Sequence, residues 1–184
     1  MSALHGVALL AERVARWIGW IATAISALAV AGIVIVLTLS STQRYLLAHP
    51  IPATEEIAGY LFVILAFLAV VGGFVERRHI RILPLWHRLP ARLQGWTLLL
   101  GHVAAIAMLV LIVRETFSFA WQSRAYGARS YVANMLEWPW MMVIPVALAL
   151  LVLVLALRVV VDLDRILRRE PPPEVRRGEE PEPL

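Results

Sequence analysis

The chain has 184 residues, 60% of them hydrophobic and only 16% charged, with a mean hydropathy of +0.75. Soluble domains are about half apolar and about a quarter charged, so this composition points to a membrane rather than to water. The net charge of +4 does not indicate nucleic acid, because all 17 basic residues are arginines gathered beside apolar segments. There is no cysteine, which excludes disulfides, thiolate metal sites and thiol catalysis.

In residues 1–16, Leu4, Val7, Ala8 and Ala11 fall on one side of a short predicted helix, and Arg13 and Arg16 close the segment. Trp17 to Leu39 carries no charge and is the first predicted span. It is too long for a signal-peptide core and no small-residue cleavage site follows it, so it reads as an uncleaved anchor. Gly19, Thr23, Ala27 and Ala31 recur every four residues. Such a strip lets helices approach closely in lipid, although Ala and Gly are also simply common in spans.

Pro50 and Pro52 break any helix in the loop from Ser40 to Glu56. A new helix is predicted to restart with Thr54 as its cap and Glu55 and Glu56 near the positive end of its dipole. The second span, Ile57 to Val75, has nineteen uncharged residues, close to the ~20 that a ~30 Å hydrocarbon core requires. Ala66, Ala69 and Gly73 offer it a small-residue face.

A basic stretch follows, with Arg77, Arg78, His79 and Arg81. If Pro84 opens a helical turn, Leu85, Leu89 and Leu93 align, Trp86 flanks them, and Arg88 and Arg92 face away. That pattern predicts a short amphipathic segment in the headgroup plane, interrupted at Pro90. His79 and His87 read as interfacial hydrogen-bonders.

The third span starts at Trp96 and is uncharged to Val113, with Arg114 and Glu115 expected at the far interface and an apolar extension to Trp121. Trp138, Pro139 and Trp140 open the fourth span, in which Pro145 predicts a kink. The proline- and charge-rich tail is expected to be disordered.

The fold class is thus an all-α integral membrane protein with four transmembrane helices. Its predicted layout is an N-terminal segment 1–16, a transmembrane domain 17–161 with spans near 17–39, 57–75, 96–115 and 139–160, and a tail 162–184. The N-terminal segment, second loop and C-terminal segment hold two, five and six arginines, against four in the other two loops. That asymmetry predicts both termini on the cytoplasmic side.

No phosphate-binding glycine loop, zinc-protease pair or nucleophile elbow occurs. The histidines His5, His49, His79, His87 and His102 are scattered. Only His102 lies within a span, and it is expected to hydrogen-bond to a neighbouring helix or subunit rather than relay protons. No span carries a charge near its middle, whereas transporters leave buried charges, broken helices or inverted repeats. The expectation is a non-enzymatic subunit that packs against something else.

Several pieces in order resemble the small membrane subunit (DctQ-type) of the tripartite ATP-independent periplasmic, or TRAP, transporters. They are Gln43-Arg44-Tyr45 after the first span, TEEIAGYLFVILAFLAVVGG opening on an acidic pair, the basic RRHIRILPLWHRLPAR, and WPWMMVIPVALALL with its internal Ile-Pro. Ile82-Leu83-Pro84 departs from the family's usual Val-Asp.

The resemblance implies a multi-pass protein of the bacterial inner membrane. Its partners would be a large multi-span permease subunit and a periplasmic substrate-binding protein, together with membrane lipids. It also implies a scaffolding role in uptake of an organic acid or similar solute, with no cofactor here and sodium coupling in the large subunit. Alternatives are the small subunit of a tricarboxylate-type tripartite system, or a non-transport membrane anchor, an independent membrane enzyme or redox anchor using His102 and His79. No catalytic, cofactor-binding or metal residues are expected. Candidate partner or lipid contacts are Arg44, Glu55, Glu56, Arg77, Arg78, His79, Arg81, Trp86 and Trp138, for which ordinary capping and interface anchoring are the competing explanation.

Overall fold

A computed structural model describes residues 2–46, 53–75 and 91–168. Those residues form four helices, α1 (Ser2–Leu46), α2 (Thr54–Val75), α3 (Ala91–Ala125) and α4 (Trp138–Arg168). All four are long and apolar enough to cross a membrane, as the uncharged runs predict. The predicted amphipathic segment, with Arg77, Arg78, His79, Arg81 and Trp86, lies outside the described residues, as does the tail from 169 onward.

The helices outrun their uncharged stretches. α1 has 45 residues, or about 68 Å at 1.5 Å per residue, more than twice the hydrocarbon thickness. The short helix expected around Ala8 and Ala11 is therefore not separate but forms the first turns of α1. No proline interrupts residues 2–46, and their opening is rich in the helix formers Ala, Leu, Glu and Arg. α3 continues past Glu115 to Ala125, and α4 runs through Pro145.

α1 pairs with α2 and α3 pairs with α4, while α4 also packs on α1 and α2. Along α1 the buried line runs through Ala8, Ala11, Ala15, Gly19, Ala22, Ser26 and Ala29. Ala8, Ala15, Ala22 and Ala29 are spaced by seven, the repeat that keeps a seam facing its neighbours. The four-step strip expected through Gly19, Thr23, Ala27 and Ala31 holds over its first half, since Gly19 and Thr23 meet Val75 and Gly72 of α2, and fails over its second. A four-residue step over-rotates by about 40°, so by Ala31 the strip has turned about 120° off the contact line. Ala27 and Ala31 are accordingly exposed.

Ala15 and Ala22 join Val71, Val75, Leu151, Val154 and Leu155 in the main core, and Ala8 and Ala11 meet Val161 in a second cluster. The closest crossing is α1 on α2. A Cβ at Gly19 would lie 2.6 Å from Val75 Cβ, and one at Gly72 would collide with the Thr23 hydroxyl. Gly72, not Gly73, makes the close approach, since a Cβ at Gly73 meets nothing within 4 Å. Successive helical residues point about 100° apart, so only one of two adjacent glycines can face a neighbour.

Candidate functional site

The polar side chains gather at the two ends of the bundle. The basal end holds the start of α1, the close of α2, the start of α3 and the close of α4. The apical end holds the close of α1, the start of α2 and the α3–α4 loop.

At the apical end, α3 stops in a glycine-dependent cap. Gly127 adopts φ 62°, its amide donates to the Arg124 carbonyl at 3.1 Å, and the Ala128 amide donates to the Ser123 carbonyl at 3.0 Å. This paired reverse bonding satisfies carbonyls that the helix end would leave bare. The chain then folds into a small hairpin. The Ser130 amide donates to the Met135 carbonyl at 2.8 Å and the Glu137 amide to the Ala128 carbonyl at 3.2 Å, with Asn134 turning the tip at φ 53°.

Glu56 holds this hairpin. Its carboxylate accepts from the Ser130 hydroxyl at 2.7 Å, the Val132 amide at 2.9 Å and the Ala133 amide at 3.0 Å. Ser130 Oγ in turn accepts from the Met135 amide at 3.2 Å. Glu56 sits just ahead of the uncharged stretch 57–75. The Ser130 hydroxyl first, then the Val132 and Ala133 amides, hold its carboxyl below the ordinary value, against an opposing push from desolvation.

The Ile57 amide donates to the Ala53 carbonyl at 3.0 Å, so Ala53, at φ 79°, occupies the capping position expected of Thr54. Thr54 is instead the first residue of α2. Glu56 is therefore the third helical residue. From there a glutamate commonly bonds back to its own helix start, but here it crosses to the α3–α4 loop. Arg44, exposed in the last turn of α1, makes no ion pair with Glu55 or Glu56 among the described residues. The acid of α2 that is engaged within the chain is thus Glu56, through its clamp on the α3–α4 hairpin.

Two aromatic contacts reinforce this end. Tyr60 of α2 stacks on Trp140 of α4, with centroids 4.7 Å apart and planes 7° from parallel. The Arg124 guanidinium lies 5.1 Å from the Trp121 ring and 5.0 Å from the Trp138 ring. It ties the end of α3 to the start of α4 through cation–π attraction. Trp138 is thereby engaged within the chain.

At the basal end, buried Arg158 of α4 donates to the Val75 carbonyl at 2.9 Å. It places a cation at the negative end of the α2 dipole, where cations are favoured. His102 of α3 pairs through Nδ1 with Asp162 Oδ2 of α4 at 2.8 Å, and Phe74 of α2 meets the imidazole edge-on at 6.1 Å. The expected bond from His102 to a neighbouring helix is present. His102→Phe should weaken the α3–α4 pairing by about 0.6 kcal/mol and by no more than about 1.7 kcal/mol, the mean and maximum found for interhelical hydrogen bonds in a membrane protein. Reversible unfolding in bicelles checks this, and an unchanged stability would show that the pair contributes nothing.

Sequence reasoning missed Asp162, Arg158, Arg124 and Ser130. Their signal was faint: polar residues at or near the ends of apolar runs, with partners on other helices. No cluster of three metal-ligating side chains occurs among the described residues.

The fold and these clamps define a multi-pass helical membrane protein whose polar groups tie its helices to one another. Residues 33–165 match the family described as "Tripartite ATP-independent periplasmic transporters, DctQ component", and the chain belongs to that family. It is therefore the small component of a TRAP transporter, a transporter family rather than an enzyme family. No curated protein and no solved structure matches the chain.

Proposed function

We propose that this chain is the static membrane scaffold of a tripartite, binding-protein-dependent secondary transporter. It stabilises the large ion-coupled permease subunit during uptake of an organic acid or similar solute. It lies in the bacterial inner membrane with the basal end cytoplasmic and the Glu56 hairpin periplasmic. Catalysis and cofactors play no part in this chain, and sodium coupling belongs to the large subunit.

The observation carrying this reading is the distribution of buried charge. Among the described residues, Arg158 and Asp164 are the buried charged side chains, and with the His102–Asp162 pair they lie at the basal end. The middle of the bundle offers alanine, valine and leucine, and its buried Ser26 spends its hydroxyl on the Ala22 carbonyl of its own helix, where an ion or solute path needs free polar groups or broken helices. Both ends of α2 are also tied to its neighbours, as a frame requires when a partner moves against it.

Arg44 and Glu55 are proposed contacts to the large subunit or the binding protein, and Arg77, Arg78, His79, Arg81 and Trp86 to lipid headgroups or that partner. Glu56 and Trp138 act by shaping the surface presented. Co-expression with the large subunit should yield a stable complex that supports sodium-driven uptake in proteoliposomes. The chain alone should support none. Robust uptake by the chain alone would overturn the proposal.

A further inference from the structure

We propose that Arg13, Arg16, Trp17 and Trp20 form a binding site for the phosphodiester headgroup of an anionic phospholipid. Among the described residues, these four line an open cavity of about 480 Å³ at the basal end of α1. Their spacing of three, four and seven places them on one helical face. At 100° per residue, that face is centred about 150° from the alanine seam that packs into the bundle. The site therefore points away from that seam.

Its chemistry is graded along the helix axis. The two arginines lie one turn closer to the N-terminus, and the two tryptophans begin the uncharged run that ends at Leu39. Neither guanidinium has a hydrogen-bond or ion-pair partner among the described residues. Two guanidiniums three residues apart can converge on one phosphodiester, each offering a planar fork of N–H donors. Trp17 and Trp20 hold each other edge to face, with centroids 6.1 Å apart and planes at 78°, and they are 65% and 68% exposed. They give the cavity an apolar wall at the depth where glycerol and the first acyl carbons would lie, an amphipathic position suited to tryptophan. A zwitterionic headgroup carries its own cation beside the phosphate and would meet two arginines with less net attraction, so the site selects anionic lipid.

The test uses the full-length chain in detergent, mixed with equal amounts of phosphatidylglycerol and phosphatidylcholine and read by native mass spectrometry. The wild type should retain one phosphatidylglycerol in preference to phosphatidylcholine. Arg13→Gln with Arg16→Gln should reduce that retention about tenfold or more. Arg13→Lys with Arg16→Lys keeps the charge, and hence the placement of the helix, but loses the forked donors, so a drop of about threefold is expected. This second pair decides the matter if the glutamine protein fails to fold. Millimolar inorganic phosphate should leave the lipid bound. In native membranes, benzoylphenylalanine at position 17 should crosslink to phospholipid.

Equal retention by the wild type and both variants, or no preference over phosphatidylcholine, overturns the proposal. Displacement by free phosphate would make this a soluble-anion site, and crosslinking to a protein would make it a subunit interface. Either result also overturns it.

Discussion

Gly19→Ala should destabilise the α1–α2 pairing, while Gly72→Ala should be nearly neutral, although both glycines sit at the same helix crossing. Overpacking a well-packed contact costs about 1–3 kcal/mol, whereas replacing a helical glycine by alanine returns about 1 kcal/mol of propensity. The net sign depends on whether the opposing atom can move. At Gly19 the new methyl meets Val75 Cβ at 2.6 Å, with Cγ1 at 2.7 Å and Cγ2 at 2.9 Å. A Cβ moves only with its backbone, and Val75 is further fixed because its carbonyl accepts from Arg158. At Gly72 the obstacle is the Thr23 hydroxyl, a side-chain atom that clears without backbone movement when χ1 turns Hβ, rather than the Cγ2 methyl, toward Gly72. Gly19→Ala should therefore cost up to about 2 kcal/mol net, and Gly19→Leu the full 3 kcal/mol or more. In a double-mutant cycle, Val75→Gly should couple favourably with Gly19→Ala, and Val75→Ala should couple less because it keeps the Cβ. Reversible unfolding by steric trapping in bicelles measures all of these. Equal costs at the two glycines, or equal relief by the two Val75 variants, would show that the close approach does not control this pairing.

Local patterns carried the four helices but not the way they meet. Uncharged runs such as Ile57–Val75 mark spans because lipid excludes charge, and that constraint acts residue by residue. The alanine heptad from Ala8 to Ala29 was harder to see. It straddles Glu12, Arg13 and Arg16, so dividing the chain into a charged segment and an uncharged span cuts the repeat in two. The choice between Gly72 and Gly73 depends on helix rotation, which composition does not set. The clamps were least legible, because Glu56 meets residues 74 to 77 positions away and His102 meets one 60 positions away. An acid at a helix start has a sufficient local explanation in the dipole, and that explanation hid the distant one.

Glu56→Gln should free the α3–α4 hairpin while leaving the helices in place. An ionised carboxylate only accepts hydrogen bonds, and here it faces three donors on Ser130, Val132 and Ala133. Glutamine brings one carbonyl oxygen and an NH2 that faces donors instead of acceptors, so at least one amide loses its partner and the charge assistance of all three bonds disappears. Hydrogen exchange at Val132 and Ala133 should accelerate by about tenfold or more, while amides in α2 and α4 away from the hairpin stay protected. The wild type should show the same release on acidification. The carboxyl is held below its ordinary value of 4.5 in the folded chain, so its stabilisation is fully present above that pH. It is lost as pH falls through the lowered folded value. Exchange that ignores both the substitution and the acid would show that the hairpin holds itself. If the hairpin does depend on Glu56, the exposed Tyr126, Tyr131 and Val132 are presented in a shape set from α2. On the proposed topology, Glu56→Gln should then reduce uptake by the assembled transporter without reducing the yield of its complex, which separates shaping of the periplasmic surface from assembly in the membrane.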